Sequence, residues 1–291
     1  MKDSLSRKVF VYGNTIFLTL LSLTMLLPFF HIFAASLSDS SAVTSGKVVF
    51  WPVQFTLDNY LYVFQDFSIW RSFGVSIFVT VAGTLFSLIL TASLAYPLSR
   101  QEFMYKKVCL LFILFTIIFS APLIPTYLLV KNLGLLDSVW ALIIPSAMSA
   151  FNFFVMRSFF QQLPGELIDA ARIDGCGEFR ILLQIVVPLS KPAFATIGIF
   201  YAVYYWNSYF NALMYINNRM LYPLQVKLRE MIVSGDMSLE MGSDLAEMMT
   251  AISPEGIKMA TIIVATVPIL IVYPFLQKYF VKGALLGSVK E

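Results

Sequence analysis

The chain has 291 residues, 58% of them hydrophobic and only 13% charged, with a formal net charge of +3. An average soluble domain carries about a quarter charged residues, so this composition excludes an ordinary soluble fold, and the small net charge gives nucleic-acid binding no support. Two cysteines, Cys109 at the start of an apolar run and Cys176 in a polar stretch, argue against a disulfide framework.

Six stretches approach the roughly 20 apolar residues that a bilayer-crossing helix needs. They run over 12–33, 73–97, 108–130, 139–156, 192–213 and 259–280, and none holds an Asp or Glu. Backbone groups in lipid must be paired within the segment, so runs of this length are expected to be helices. The first begins behind Lys2, Arg7 and Lys8 like a signal peptide. Its apolar stretch from Val9 to Ala35 exceeds the roughly 7–15 residues of such a leader, which predicts a retained first transmembrane helix. An even number of spans puts both termini on one side. With that side inside, thirteen Lys and Arg fall in inside segments and seven outside. The positive-inside rule therefore predicts cytoplasmic termini.

Two longer segments then lie outside, 36–72 and 214–258. The first contains Trp51, Pro52 and Leu57-Asp58-Asn59-Tyr60. The second is expected to hold a short amphipathic helix at 243–250 and ends in the turn signal Ser253-Pro254-Glu255-Gly256. No internal repeat is visible, and the chain reads as one membrane domain over 1–291. His31, the only histidine, has no carboxylate near it in any span, so an interfacial or inter-helix hydrogen bond is expected rather than a proton relay.

The segment between spans four and five, LPGELIDAARIDGCGEFRILLQIVVPLSKP from Leu163 to Pro192, carries the most information. Pro164 suits a helix start. Glu166 and Asp169 complement the helix dipole. Asp169 and Arg172 are spaced to pair on one face. Ala170 and Ala171 leave room for close approach, and Asp174-Gly175 can stop the helix with Gly175 left-handed. A second helix is expected over about 178–186, up to Pro188. An ordinary amphipathic helix pair would satisfy these residue types equally well. The spacing adds to them: Asp169-Ala170-Ala171, three residues, Gly175, nine residues, Ile185, two residues, Pro188. It resembles the EAA loop of binding-protein-dependent ABC importer permeases, with Asp169 in place of the usual Glu and Val187 in place of Leu.

Further resemblance lies in Trp206-Asn207 with Phe210 and Leu213, and in the C-terminal runs from Gln277 to Gly283 and from Gly287 to Lys290. These are similar to the carbohydrate-type branch that contains the maltose importer, on the side of its second permease. The run from Pro268 to Phe275 is similar to permeases for complex oligosaccharides and polysaccharide fragments. The resemblance implies an all-α, six-helix type I ABC importer permease fold. It further implies a coupling loop at about 158–190 that docks on a separate ATPase, with Glu166, Asp169, Ala170, Ala171, Arg172, Asp174 and Gly175 at or near that interface. It implies a sister permease completing a heterodimer, two cytoplasmic ATPase subunits and an extracellular sugar-binding protein. No GxxxxGK[ST] phosphate loop occurs, so ATP and magnesium are expected on the partner ATPase. No cofactor or metal is expected in this chain.

A sugar path would combine aromatic faces with amides and hydroxyls. The fifth span is richest in these, and Tyr205, Trp206, Asn207, Tyr209 and Asn211, with Asn152 from the fourth, are the candidate path residues. Tyr201 and Tyr204 lie beside them. Interfacial anchoring and inter-helix bonding are the competing roles for the same side chains. An ion-coupled secondary transporter would be expected to carry midplane carboxylates or repeats. That function, and an ABC permease for a non-sugar solute, are the alternatives.

Overall fold

The computed structural model describes residues 5–119, 121–234 and 253–288. The expected helix at 243–250 and the end of the C-terminal run, from Val289, lie outside them. The described residues are mostly helical. In chain order the helices are α1 (Leu5–Ser36), α2 (Ser40–Thr44), α3 (Asp58–Gln65), α4 (Phe67–Ser99), α5 (Lys106–Ile118), α6 (Leu123–Asn132), α7 (Trp140–Ile143) and α8 (Ala150–Gln161). After these come α9 (Gly165–Ile173), α10 (Glu178–Ile181), α11 (Val187–Leu189), α12 (Lys191–Trp206), α13 (Phe210–Tyr215), α14 (Leu224–Ser234) and α15 (Pro254–Ser288). No strand occurs among the described residues, only one isolated bridge between Ser38 and Phe55.

Two helices are by themselves long and apolar enough to cross a bilayer, within Arg7–Ser36 and Phe67–Ser99, among the described residues. Three further apolar stretches are interrupted, so up to five spans result if each broken pair is counted as one. The interruptions have local causes. Pro122 lacks an N–H and constrains the residue before it; α5 ends at Ile118 and α6 starts directly after Pro122. The fourth stretch passes through a 3-10 turn at Ile144–Ser146 that includes Pro145, then restarts at α8, where Ser149 caps Asn152. Its two halves are bent by 57°. The third broken pair is Glu178–Leu189 with Lys191–Trp206, bent by 85°; the fifth stretch, expected over 192–213, is itself helical to Trp206 before α13 begins at Phe210. The sixth lies inside α15.

Contacts divide the chain into two units, one of residues 1–69 and 228–268, the other of 70–227 and 269–291. In the first, the end of α1 is tied down by polar groups. Asn59, buried on α3, donates through Nδ2 to the carbonyls of Ser36 and Ser38 at 3.1 and 3.2 Å. The Ser36 hydroxyl meets Tyr60 OH at 2.8 Å, and Ser38 Oγ accepts from Val53 N at 3.0 Å. Ser253 N reaches Ser40 Oγ at 2.6 Å just before α15 begins. His31 bonds the Val49 carbonyl through Nδ1 at 2.9 Å, a helix-to-loop bond where an interfacial or inter-helix one is expected from the sequence. Asn59→Ala would strip donors from two carbonyls of fully buried residues. A loss of about 1–3 kcal/mol is expected, read as faster amide exchange at the end of α1 and in α3; unchanged exchange would contradict this reading.

The second unit holds the larger core, with Phe153, Met156 and Phe160 of α8 against Ile181, Val186, Ile197 and Tyr201. Along α4, Ser76, Thr80, Thr84, Ser87 and Thr91 recur at helical spacing. Ser87 and Thr91 face α12, where Tyr205 OH meets Ser87 Oγ at 2.9 Å and Tyr201 OH meets Thr91 Oγ1 at 2.8 Å. A Cβ on Gly83 would lie 2.8 Å from the Tyr205 ring, so the glycine is what lets that ring lie against α4.

Candidate functional site

The segment singled out by its spacing folds as a helix, a tight turn and a second helix. Pro164 precedes α9, and Glu166 occupies its first turn. Ile168 and Ala171 face inward, whereas Glu166, Asp169, Ala170, Asp174 and Gly175 are exposed. The helix stops in a Schellman motif: Cys176 N donates to Ala171 O at 2.9 Å and Gly175 N to Arg172 O at 3.0 Å. Gly175 takes φ +79°, the left-handed conformation that a residue without Cβ adopts freely. After the turn, α10 runs into a π-helical stretch at Leu182–Val186 and then α11. Pro188 lies within α11, and the chain turns by 85° into α12.

Arg172 has a second role that sequence spacing did not show. Its contact to Asp169 is present at 3.6 Å, but shorter bonds go elsewhere. Nε donates to Glu178 Oε1 at 2.8 Å, and the two terminal nitrogens donate to Glu102 at 2.9 and 3.2 Å. Tyr96 OH completes the group by donating to Glu178 Oε2 at 2.6 Å. The guanidinium thus staples α9 to the segment after α4 and to the start of α10. The Arg172 bond holds the Glu102 carboxyl below its ordinary range; for Glu178 the Tyr96 hydroxyl acts first and Arg172 next. Arg172 itself is held more firmly protonated, mainly by Glu102 and then Glu178.

Because these carboxyls titrate lower when folded, their stabilisation is complete above the ordinary Glu value of about 4.3. It is lost as pH falls through the lowered folded values. Arg172→Met is therefore expected to lower stability by about 1 kcal/mol, since the groups are largely exposed and screened. The deficit should stay constant from neutral pH to about 5 and shrink only in stronger acid, as read by thermal melts across pH. A deficit that grew on acidification would refute the staple.

The outward side of this loop also carries apolar residues that sequence reasoning passed over. Leu167, Ile173 and Phe179 are 47%, 87% and 74% exposed. Leu167 lies three residues before Ala170 and Ile173 three after it, spacing that puts all three near one helix face and was readable in advance.

The candidate path residues separate into two groups. Tyr205 is buried, donating to the Ile143 carbonyl at 3.2 Å while accepting from Ser87. Trp206 is buried against Phe73, ring centroids 5.9 Å apart. Asn207 is exposed and bonds back to Val203 O at 2.8 Å, and Tyr209 is half-buried. Tyr204, Asn211 and Ser146 form the other group: Tyr204 OH donates to Ser146 Oγ at 2.8 Å, and Asn211 Nδ2 lies 3.3 Å from both hydroxyl oxygens. Beside them is a cleft of about 470 Å³, lined among others by Ser146, Phe151, Asn152, Phe200 and Tyr204. The helix break at 147–149 places Ser146 and Asn152 on one cleft. Of the candidate path residues, Asn152 lines it; Tyr205, Trp206, Asn207, Tyr209 and Asn211 do not. No group of residues suited to holding a metal occurs among those described.

Residues 92–285 match the family described as binding-protein-dependent transport system inner membrane component. The chain belongs to this family. It is therefore a multi-pass inner-membrane permease component of an ABC importer, a class that works with a partner permease, a separate ATPase subunit and a binding protein. The ion-coupled alternative is set aside. The permease is 47% identical to the polygalacturonan/rhamnogalacturonan transport system permease protein YtcP of Bacillus subtilis, over 96% of each chain. It is 45% identical to Protein LplC of the same organism, over 100% of this chain and 98% of the relative. A chain from the crystal structure of a bacterial ABC transporter involved in import of the acidic polysaccharide alginate superposes with a TM-score of 0.89. That chain is 36% identical, and the match covers 96% of this permease and 99% of its counterpart. The fold is accordingly that of a type I permease.

Proposed function

We propose that this permease forms one half of the membrane channel of an oligosaccharide importer. It is one membrane domain with six spans and both termini in the cytoplasm. A sister permease completes a heterodimer, two ATPase subunits bind beneath it, and an extracellular sugar-binding protein delivers cargo to the outer face. ATP and magnesium stay on the ATPase, and this chain performs no hydrolysis.

One observation carries the coupling assignment: a short exposed helix closed by a left-handed Gly175, in a family that works with a separate ATPase. Its outward residues, Glu166, Ala170, Asp174 and Gly175 with Leu167 and Ile173, would enter a cleft on the ATPase. Asp169 stands beside them at the rim, while Ala171 and Arg172 hold the helix from behind. Closure of the ATPase dimer would then bias the permease between inward- and outward-facing states through differential binding at this helix. The oligosaccharide cargo is supported by the relatives' names and by the neutral, aromatic and amide-bearing cleft.

The deciding experiment assembles this chain with its sister permease and ATPase in lipid nanodiscs. Loaded binding protein is added for a panel of oligosaccharides, and ATPase rate is measured. Stimulation by a loaded form is expected. A stable complex that no glycan stimulates would overturn the cargo, and failure of any ATPase to associate would overturn the coupling assignment.

A further inference from the structure

We infer that the cleft between the 144–149 turn, α8 and α12 is a glycosyl subsite that takes a neutral pyranose and rejects a uronate. This rests on the oligosaccharide reading and names the chemistry of the unit that lodges in this chain's half of the path. Asn152 is 5% exposed, and its side-chain amide finds no hydrogen-bond partner among the described residues, while its backbone N–H donates to Ser149 Oγ at 3.4 Å. The residue lines the cleft. The amide's polar atoms are not among those sealed from solvent, and the cleft is where a partner can reach them. The amide offers two donors and an acceptor, a match for vicinal hydroxyls.

Ser146 adds to it. Its oxygen accepts from Tyr204 OH at 2.8 Å and from Asn211 Nδ2 at 3.3 Å, which leaves its own proton for an acceptor in the cleft. Phe151 and Phe200, with ring centroids 6.1 Å apart, supply aromatic surface for the C–H face of a sugar ring. The volume of about 470 Å³ lies in the range of small-ligand sites. Among the described residues the lining consists of Pro, Ser, Met, Phe, Asn and Tyr, with no cation. A carboxylate brought there would lose hydration without gaining a charged partner.

The test measures binding of free glycans to the assembled permease complex in nanodiscs by calorimetry, without binding protein. Galactotriose and trigalacturonate, matched in length and differing in carboxylates, are the probes. Galactotriose is expected to bind at least ten-fold more tightly than trigalacturonate. Asn152→Ala should weaken galactotriose about ten-fold, and Asn152→Lys should invert the preference. Should Asn152→Ala fail to assemble with the ATPase, Ser146→Ala and Tyr204→Phe read the same subsite from its rim and should weaken galactotriose several-fold. Tighter binding of trigalacturonate to the unaltered complex overturns the inference. So does galactotriose binding indifferent to all these substitutions, or no binding of either glycan. The cargo reading is scored separately, by whether a loaded binding protein still stimulates the ATPase.

Discussion

Gly175→Pro is expected to abolish coupled uptake while the chain still inserts and assembles with its sister permease. Proline fixes φ near −65°, whereas Gly175 sits at +79°. The substitution also removes the N–H that closes the turn onto Arg172 O. Nothing lies within 4 Å of a Cβ at this position, so the effect is conformational rather than steric. Reversal of the turn costs about 3 kcal/mol and re-aims α9 relative to α10. Uptake into proteoliposomes should fall roughly 100-fold if that energy is drawn from the coupled state. A graded series sharpens the result. Gly175→Asn, which tolerates the left-handed region, should retain most activity, and Gly175→Ala should fall between, with a strain of about 1–2 kcal/mol. Basal ATPase activity should persist while its stimulation by loaded binding protein disappears. Normal uptake by the proline variant would sink the coupling role of α9.

The second large effect is expected at Gly83. A methyl there would lie 2.8 Å from three atoms of the Tyr205 ring. That ring is held by the Ser87 and Ile143 bonds and is almost fully buried. Overpacking of this kind costs about 1–3 kcal/mol, and Gly83→Val should exceed Gly83→Ala. The thermal midpoint of the purified complex should fall accordingly. The discriminating measurement is a cycle with Tyr205→Ala: removal of the ring should erase most of the penalty of Gly83→Ala, because contacting residues are not additive. Strict additivity would mean that the glycine is tolerated for some other reason.

These two glycines mark what the sequence made legible. Gly175 was readable because its role is local: Asp-Gly at the end of an amphipathic run signals a left-handed cap, and the spacing to Ile185 and Pro188 tied it to a family. Gly83 was not readable, because its reason lies 122 residues away on α12. Arg172 shows the same division. Its Asp169 contact is expected from i,i+3 spacing, whereas its tighter bonds to Glu102 join segments 70 residues apart in sequence. Tyr205 was assigned to a sugar path on residue type, but the structure occupies its hydroxyl with helix–helix bonds. The serine and threonine repeat on α4 was the available signal for that use. Hydrophobic length located the apolar stretches well, yet it could not show that Pro122, Pro145 and Ser149 interrupt them, since apolar content is blind to backbone breaks.

The π-helical stretch at Leu182–Val186 sets a phase. A π turn accommodates one residue more than an α turn over the same advance. Deleting one residue there would restore regular winding with the flanking helices in nearly the same phase, whereas deleting one from a regular α turn would rotate everything downstream by about 100°, one residue's share of an α-helical turn. In that second case α12, which leaves the 85° bend after Leu189, would depart along another heading relative to α9. The irregular stretch is thus a slack turn between α9 and α12: it holds an extra residue while keeping the angle between the helix capped by Gly175 and the helix that carries Tyr201, Tyr204 and Tyr205.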